Sequence, residues 1–148
     1  MIRRGRADDL HAIGRVFLAA RDEMAYLPRI PEEHRSQIAT LITPGRDEVW
    51  VADEDGQVVA FADLRDDWLA HIYVHPSRQG RGLGTDLIEH AKRRRPDGFR
   101  FWVFQNNAGG RRFYERHGCR VVKLTDGADN MEHEPDALYE WPATPRVS

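Results

Sequence analysis

Three glycines fall within five residues, at Gly80, Gly82 and Gly84, between a strand-like run at 72–74 and a helix-like run at 83–92. In such a turn, the first backbone N–H groups of the helix point outwards at the positive end of the helix dipole. Glycine has no side chain, so an anion can come close to these groups. The turn therefore predicts either an anion-binding site or simply a tight connection between a strand and a helix.

Two common phosphate-binding motifs are absent from this turn. A Walker A loop needs a lysine followed by serine or threonine, and the turn contains no lysine. The dinucleotide-binding fingerprint needs a third glycine three residues after the second, where Thr85 stands. A phosphate group at this turn would therefore have to be bound in a different way.

The hydrophobic pattern predicts elements in the order β-α-α-β-β-β-α-β-α-β-β. Asp8 is predicted to cap the first helix, and Asp55-Gly56 between two apolar runs predicts a hairpin. The run 99–104 is apolar on both faces, which is typical of a buried central strand. Hairpins require antiparallel neighbours, whereas helical crossovers suit parallel ones. We therefore predict an α/β fold with a mixed, mainly antiparallel sheet flanked by about four helices.

Length and composition limit the class of protein. A chain of 148 residues suits a single domain that spans 1–148. No stretch approaches the ~20 apolar residues of a membrane span. The N-terminus lacks the apolar segment of a signal peptide, so we expect a cytoplasmic protein that does not bind membranes. The net charge of −2 gives no reason to expect nucleic-acid binding.

The cysteine and histidine patterns argue against metal binding and covalent catalysis. The single cysteine, Cys119, excludes an internal disulfide framework and a cysteine-rich zinc site. We interpret it as a small buried residue at the start of a strand rather than as a nucleophile. His71 and His75 lie four residues apart, but no clear third ligand accompanies them. We therefore predict no metal ion.

Two segments resemble motifs of the GNAT superfamily of N-acetyltransferases. Residues 79–84, QGRGLG, are similar to its Gln/Arg-x-x-Gly-x-Gly/Ala signature, and 72–76 look like its fourth strand. Residues 107–119 resemble its Asn-x-x-Ala-x-x-Phe-Tyr-x-x-x-Gly-Phe segment, with Gly110 in place of the alanine and Cys119 in place of the phenylalanine. The predicted order of elements agrees with the GNAT fold over nearly the whole chain.

The resemblance implies acetyl-CoA as the donor co-substrate and an amine of a small molecule or peptide as the acceptor. It implies that Asn107 hydrogen-bonds the pantetheine and that Tyr114 lies near the thioester sulfur. The strand backbone that would pair with the pantetheine belongs to Ile72, Tyr73 and Val74. The turn and helix start that would hold the pyrophosphate comprise Gln79, Gly80, Arg81, Gly82, Leu83, Gly84 and Thr85.

The implied reaction needs an acid and a base. The amine would attack the thioester directly in a ternary complex, so no covalent nucleophile is required. Tyr114 suits protonation of the sulfur, and a strand N–H near Val74 suits the oxyanion. An amine with a pKa near ~10.4 must lose a proton. His71 titrates in the useful range, but strand alternation leaves its direction open, and Asp66 and Asp67 remain alternatives that would act through water.

The acceptor site is predicted from two segments. The stretch 26–31 interrupts two helices, and the resemblance puts it beside the acetyl group. A polar loop at 126–136 carries many acceptors and negative charges, which favours a cationic amine. The predicted acceptor mouth consists of Tyr26, Leu27, Asn130, Glu132 and Glu134. The alternative is that the acidic loop is merely solvated.

Two other function classes remain open at this point. A non-catalytic acyl-CoA-binding module would keep the same fold without turnover. A nucleotide-binding protein would use the glycine turn for a different phosphate ligand. A homodimer is also compatible with the sequence.

Overall fold

The computed structural model describes residues 1–38 and 41–142, and within them the chain forms seven strands and four α-helices. Short 3-10 turns lie at 7–9 and 76–78. In chain order the elements are β1 (Ile2–Arg4), α1 (Leu10–Asp22), α2 (Glu32–Ile38), β2 (Glu48–Glu54), β3 (Gln57–Arg65), β4 (Trp68–Val74), α3 (Leu83–Arg94), β5 (Phe99–Phe104), α4 (Ala108–Arg116), β6 (Arg120–Leu124) and β7 (Asp136–Trp141).

The strands form one sheet in the order β1-β2-β3-β4-β5-β7-β6. β4 and β5 are parallel, and the other neighbouring strands are antiparallel. Asp55 and Gly56 have φ angles of 53° and 85°, which is the two-residue turn whose twist matches a β-hairpin. The prediction of a mixed, mainly antiparallel sheet with about four helices is confirmed, and so is the hairpin.

Helices cover both faces of the central sheet. α1 packs Ile13, Val16 and Phe17 against one face. α3 packs Leu87 against the opposite face, where side chains of α4 also lie. Successive strand residues point to opposite faces. Because helices cover both faces of β3, its stretch 58–64 is buried throughout. Across 1–38 and 41–142, none of the helices combines the length and the apolar character that crossing a bilayer requires.

The prediction that β5 is buried on both faces is wrong. Phe101 and Val103 are buried on the face covered by α3 and α4. On the other face Arg100 is exposed, and Trp102 keeps 49% of its surface exposed. α1 packs over β3 and β4 and leaves this side of β5 open. An apolar residue pattern therefore identified the strand correctly but not which of its faces a helix covers.

The first helix also begins later than the predicted cap at Asp8. A 3-10 turn occupies 7–9, and α1 begins at Leu10. The buried acid of this turn is Asp9, whose Oδ2 accepts hydrogen bonds from the Arg6 N–H and from Arg3 Nη1, both at 2.8 Å. Asp9 thus connects this turn to β1, and its side chain makes no capping hydrogen bond to α1.

Candidate functional site

The parallel strands β4 and β5 diverge and open a cleft in the sheet. Their register within the described chain pairs Trp68 with Arg100, at the start of β4. Beyond this pair lies a cavity of about 1220 Å³, lined by residues 69–74 of β4 and 101–104 of β5. A cavity of this size holds a small-molecule ligand, and its position gives such a ligand access to strand backbone inside the sheet.

The edge of β4 that faces the cleft carries backbone groups that β3 does not use. The His75 N–H donates to a β3 carbonyl at 2.8 Å, and the register pairs Tyr73 with Phe61. In an antiparallel ladder, the residues that alternate with such pairs direct their N–H and C=O groups to the other side. Ile72 and Val74 therefore present their backbone to the cleft, whereas that of Tyr73 faces β3.

The glycine turn closes one end of the cleft, where Gln79 and Gly80 belong to the lining. Gly80 and Gly82 have φ angles of 80° and 82°, a region that favours glycine. A Cβ atom added at either position would meet nothing within 4 Å, so this side of the turn is open to a ligand. Gly82 precedes α3 and offers no side-chain cap, which leaves the first N–H groups of the helix to an anion or to water.

Two further glycines allow close packing around the cleft. A Cβ at Gly84 would lie 3.3 Å from Phe113 Cζ, so glycine lets α3 approach α4. A Cβ at Gly110 would lie 2.5 Å from Asn107 Nδ2. Asn107 Oδ1 accepts the Gly110 N–H at 3.0 Å and caps α4, so Nδ2 is the amide group that remains for a ligand. Glycine in place of alanine at 110 thus has a packing reason.

Tyr114 lines the cleft from α4. Its ring centroid lies 4.4 Å from that of Phe101 and 5.2 Å from that of Phe113. Burial raises the pKa of the Tyr114 hydroxyl above the ordinary tyrosine value, so the group stays protonated at neutral pH. The cleft therefore contains an uncharged hydrogen-bond donor held by aromatic packing.

His71 lines the same cleft, and the structure shows the direction that strand alternation left open. The pairing of β3 with β4 shifts register just before His71, which leaves Ala70 as the extra residue of a bulge and sets Asp63 opposite His71. The His71 ring lies on the α1 face, with its centroid 5.8 Å from that of Phe17. The bulge thus interrupts the simple alternation of side chains along β4.

Asp63 contacts His71 from behind the lining of the cleft, and the sequence analysis missed it. It is fully buried, and its Oδ2 lies 3.1 Å from His71 Nδ1 and accepts from Arg65 Nη2 at 2.9 Å. An acid within an otherwise apolar strand is the signal that could have identified it. The alternative bases Asp66 and Asp67 occupy the β3–β4 turn, outside the lining of the cleft.

Three of the predicted acceptor residues, Tyr26, Asn130 and Glu132, line the cleft together. The Tyr26 hydroxyl is buried and has no hydrogen-bond partner among the described residues. Glu132 Oε1 lies 3.6 Å from Arg21 Nη1 of α1, so the polar loop at 126–136 contacts the first helix. The two predicted acceptor segments therefore contribute Tyr26 and Glu132, respectively, to one lining.

The other two predicted acceptor residues lie outside the lining. Leu27 is buried in the core. Glu134 Oε1 accepts a hydrogen bond from Asn106 Nδ2 at 2.5 Å. Among the described residues, the charged groups of the lining are nevertheless mostly acidic: they comprise one lysine, Lys123, and five acids, namely Glu23, Asp126, Asp129, Glu132 and Asp136.

A family model described as an acetyltransferase (GNAT) domain matches residues 45–120. The matched stretch contains β4, the glycine turn, β5 and α4, which together contribute most of the residues that line the cleft. Among curated relatives, the peptidyl-lysine N-acetyltransferase YiaC of Escherichia coli K12 is 30% identical over 95 residues. That match covers 63% of this chain and 62% of YiaC, so it spans less than two thirds of the relative's length.

Solved structures of similar fold cover nearly the whole chain. The apo-form solution structure of YjaB from Escherichia coli gives a TM-score of 0.78 at 23% identity, over 97% of this chain and 98% of YjaB. The structure of yncA from Salmonella typhimurium with its cofactor acetyl-CoA gives a TM-score of 0.70 at 20% identity, over 100% of this chain and 96% of yncA. At these identities the likeness establishes the fold.

Proposed function

The chain belongs to the GNAT family of acetyltransferases, and from that premise we propose that it moves the acetyl group of acetyl-CoA to an amine by direct attack in a ternary complex. The observation that carries this proposal is the open edge of β4 beside the glycine turn. A strand edge inside a cleft and a helix N-terminus at its end are complementary to a pantetheine arm and a pyrophosphate, respectively.

The donor would lie along β4. Ile72 and Val74 would pair with the amides of the pantetheine, and Asn107 Nδ2 would donate to the same arm. The N–H groups from the glycine turn into α3 would bind the pyrophosphate, because Gly80 and Gly82 leave room for it. The acetyl-CoA that accompanies yncA in its structure supports this choice of donor.

The chemistry would use three groups of the cleft. The amine nitrogen forms a bond to the thioester carbon, and the C–S bond breaks to release coenzyme A. The Val74 N–H, which faces the cleft, would stabilise the oxyanion. Tyr114 would donate a proton to the leaving sulfur, and His71 would accept the proton of the amine directly or through water.

The acceptor would be a cationic amine on a small molecule or peptide. The acidic lining of the cleft, with Glu132 beside Tyr26 and Asn130, attracts positive charge in a partly desolvated site. The relative YiaC acts on peptidyl-lysine, which is consistent with an acceptor of this charge. The first acceptors to test are therefore peptides with a lysine side chain, peptides with a free N-terminal amine, and polyamines.

The experiment is a coenzyme A release assay with acetyl-CoA and a panel of amines, read with a thiol reagent and by mass spectrometry of the acceptor. We expect release that depends on the amine, with an acetylated product. Binding of acetyl-CoA without release would indicate a non-catalytic acyl-CoA-binding module. Stronger protection from thermal unfolding by ATP than by acetyl-CoA would indicate a different phosphate ligand.

A further inference from the structure

Asp63 is an unusual residue for its position in β3. Its side chain is 0% exposed between apolar neighbours on the central strands of the sheet. Burying a carboxylate is costly unless charged or hydrogen-bonding partners compensate for the lost hydration. One oxygen, Oδ2, has two such partners in His71 and Arg65, whereas Oδ1 is buried with no partner among the described residues.

The contact with His71 determines which ring nitrogen carries the proton. A carboxylate oxygen only accepts hydrogen bonds. His71 Nδ1, 3.1 Å from Asp63 Oδ2, must therefore be the protonated nitrogen of the neutral ring. Nε2 is then the nitrogen with a free lone pair. The aromatic rings of Phe17 and Tyr73, with centroids 5.8 Å and 6.2 Å from that of His71, limit rotation of the imidazole.

We propose that Asp63 is a positioning residue that holds His71 in the Nδ1–H tautomer, with Nε2 ready to accept the proton of the attacking amine. This inference rests on the proposed function, in which His71 is the base. When the C–N bond forms, the amine proton moves to Nε2, directly or through one water. The resulting imidazolium is stabilised by the Asp63 carboxylate until it returns the proton to solvent.

A purely structural role for Asp63 would be the anchoring of Arg65. Arg65, however, keeps 44% of its side-chain surface exposed and also lies 3.7 Å from Asp47, so it has a second acidic partner. A structural carboxylate in a core normally has both oxygens satisfied, and Oδ1 of Asp63 does not. The bulge that places His71 opposite this carboxylate is a feature that often redirects a side chain beside an active site.

The kinetic test is a double-mutant cycle with Asp63→Asn, His71→Gln and the double variant, measured with saturating acetyl-CoA. We expect Asp63→Asn to lower kcat by about 10- to 100-fold with an unchanged KM for acetyl-CoA. In the His71→Gln background the same change should lower kcat no further, because the group that it positions is gone. Asp53→Asn is the matched control, since Asp53 pairs with Arg3 away from the cleft.

The second test is the 15N NMR spectrum of the His71 imidazole in the wild-type protein at alkaline pH. It requires neither a variant nor activity. We expect Nδ1 to have the chemical shift of a protonated nitrogen and Nε2 that of an unprotonated one. The opposite tautomer, or an equal loss of kcat from Asp63→Asn in both backgrounds, would overturn the proposal. An inactive wild type with the expected tautomer would instead contradict the proposed function. An unchanged kcat in His71→Gln would exclude His71 as the base and would overturn the proposal.

Discussion

Tyr114 combines a packed ring with a position in the lining of the cleft. The ring contacts Phe101 and Phe113, so replacing the hydroxyl by hydrogen leaves its packing intact. Burial raises the pKa of the hydroxyl and keeps it a neutral donor. The proposed proton donation by the hydroxyl can therefore be tested separately from the packing of the ring.

Tyr114→Phe should lower kcat by about 10²-fold, the loss expected of a positioned acid, with little change in acetyl-CoA affinity or stability. Tyr139→Phe is the control. The Tyr139 hydroxyl is buried, accepts from Arg111 Nε and donates to Glu115, so its removal should destabilise the fold by about 1 kcal/mol without a comparable effect on kcat. Equal kcat values in wild type and Tyr114→Phe, where chemistry limits the rate, would exclude the acid role.

Glu132→Gln should raise the KM for a cationic acceptor about three- to tenfold, while the KM for acetyl-CoA stays the same. The variant removes a negative charge from the cleft, which weakens the attraction of a cation. It also leaves Arg21 without that acidic partner, so the positive charge of Arg21 repels a cation more strongly. Steady-state kinetics at low ionic strength measures the change. Glu134→Gln removes the same charge outside the lining and should have a smaller effect. Indistinguishable KM values for the two variants would remove Glu132 from the acceptor site.

At the scale of elements, the glycine turn and α3 act as one unit. Gly82 has positive φ and open space around its Cβ position, so alanine there introduces backbone strain and also occupies the path of an anion. Gly56 in the β2–β3 hairpin has a similar φ of 85° and is equally open. The two glycines therefore permit a comparison of the same backbone strain inside and outside the predicted donor site.

Gly82→Ala and Gly56→Ala should both lower the free energy of unfolding by about 1 kcal/mol. Only Gly82→Ala should weaken acetyl-CoA binding, by about tenfold or more, as measured by calorimetry. Unaltered acetyl-CoA affinity in Gly82→Ala would mean that the turn is simply a tight connection between β4 and α3.

Across the whole molecule, Glu48 connects the sheet to the end of α3. Its carboxylate accepts from Arg94 Nε at 2.8 Å, from Trp50 Nε1 at 2.8 Å and from Arg95 Nη2 at 3.0 Å. Burial alone would raise the pKa of Glu48, but these hydrogen bonds outweigh it and lower the pKa to about 2. Because the folded pKa lies below the ordinary 4.5, Glu48 stabilises the fold above pH 4.5.

This stabilisation should disappear as the pH falls from 4.5 towards 2, when Glu48 becomes protonated in both states. Chemical denaturation at several pH values should show that wild type loses about 1–2 kcal/mol more than Glu48→Gln over this range, after allowance for solvent screening. Glu33→Gln, at an exposed position of α2, should follow wild type. Parallel pH profiles for wild type and Glu48→Gln would refute the assignment.

The order of the elements, the hairpin at Asp55-Gly56 and the glycine turn at 80–84 were predictable from the sequence. Each depends on residues close together in the chain: the spacing of apolar side chains, or a glycine where φ must be positive. Tertiary structure alone decided that α1 leaves Trp102 exposed, that β4 and β5 diverge after one pair, and that a bulge at Ala70 turns His71 towards Asp63. These features depend on how distant segments pair and pack, which local sequence patterns do not specify.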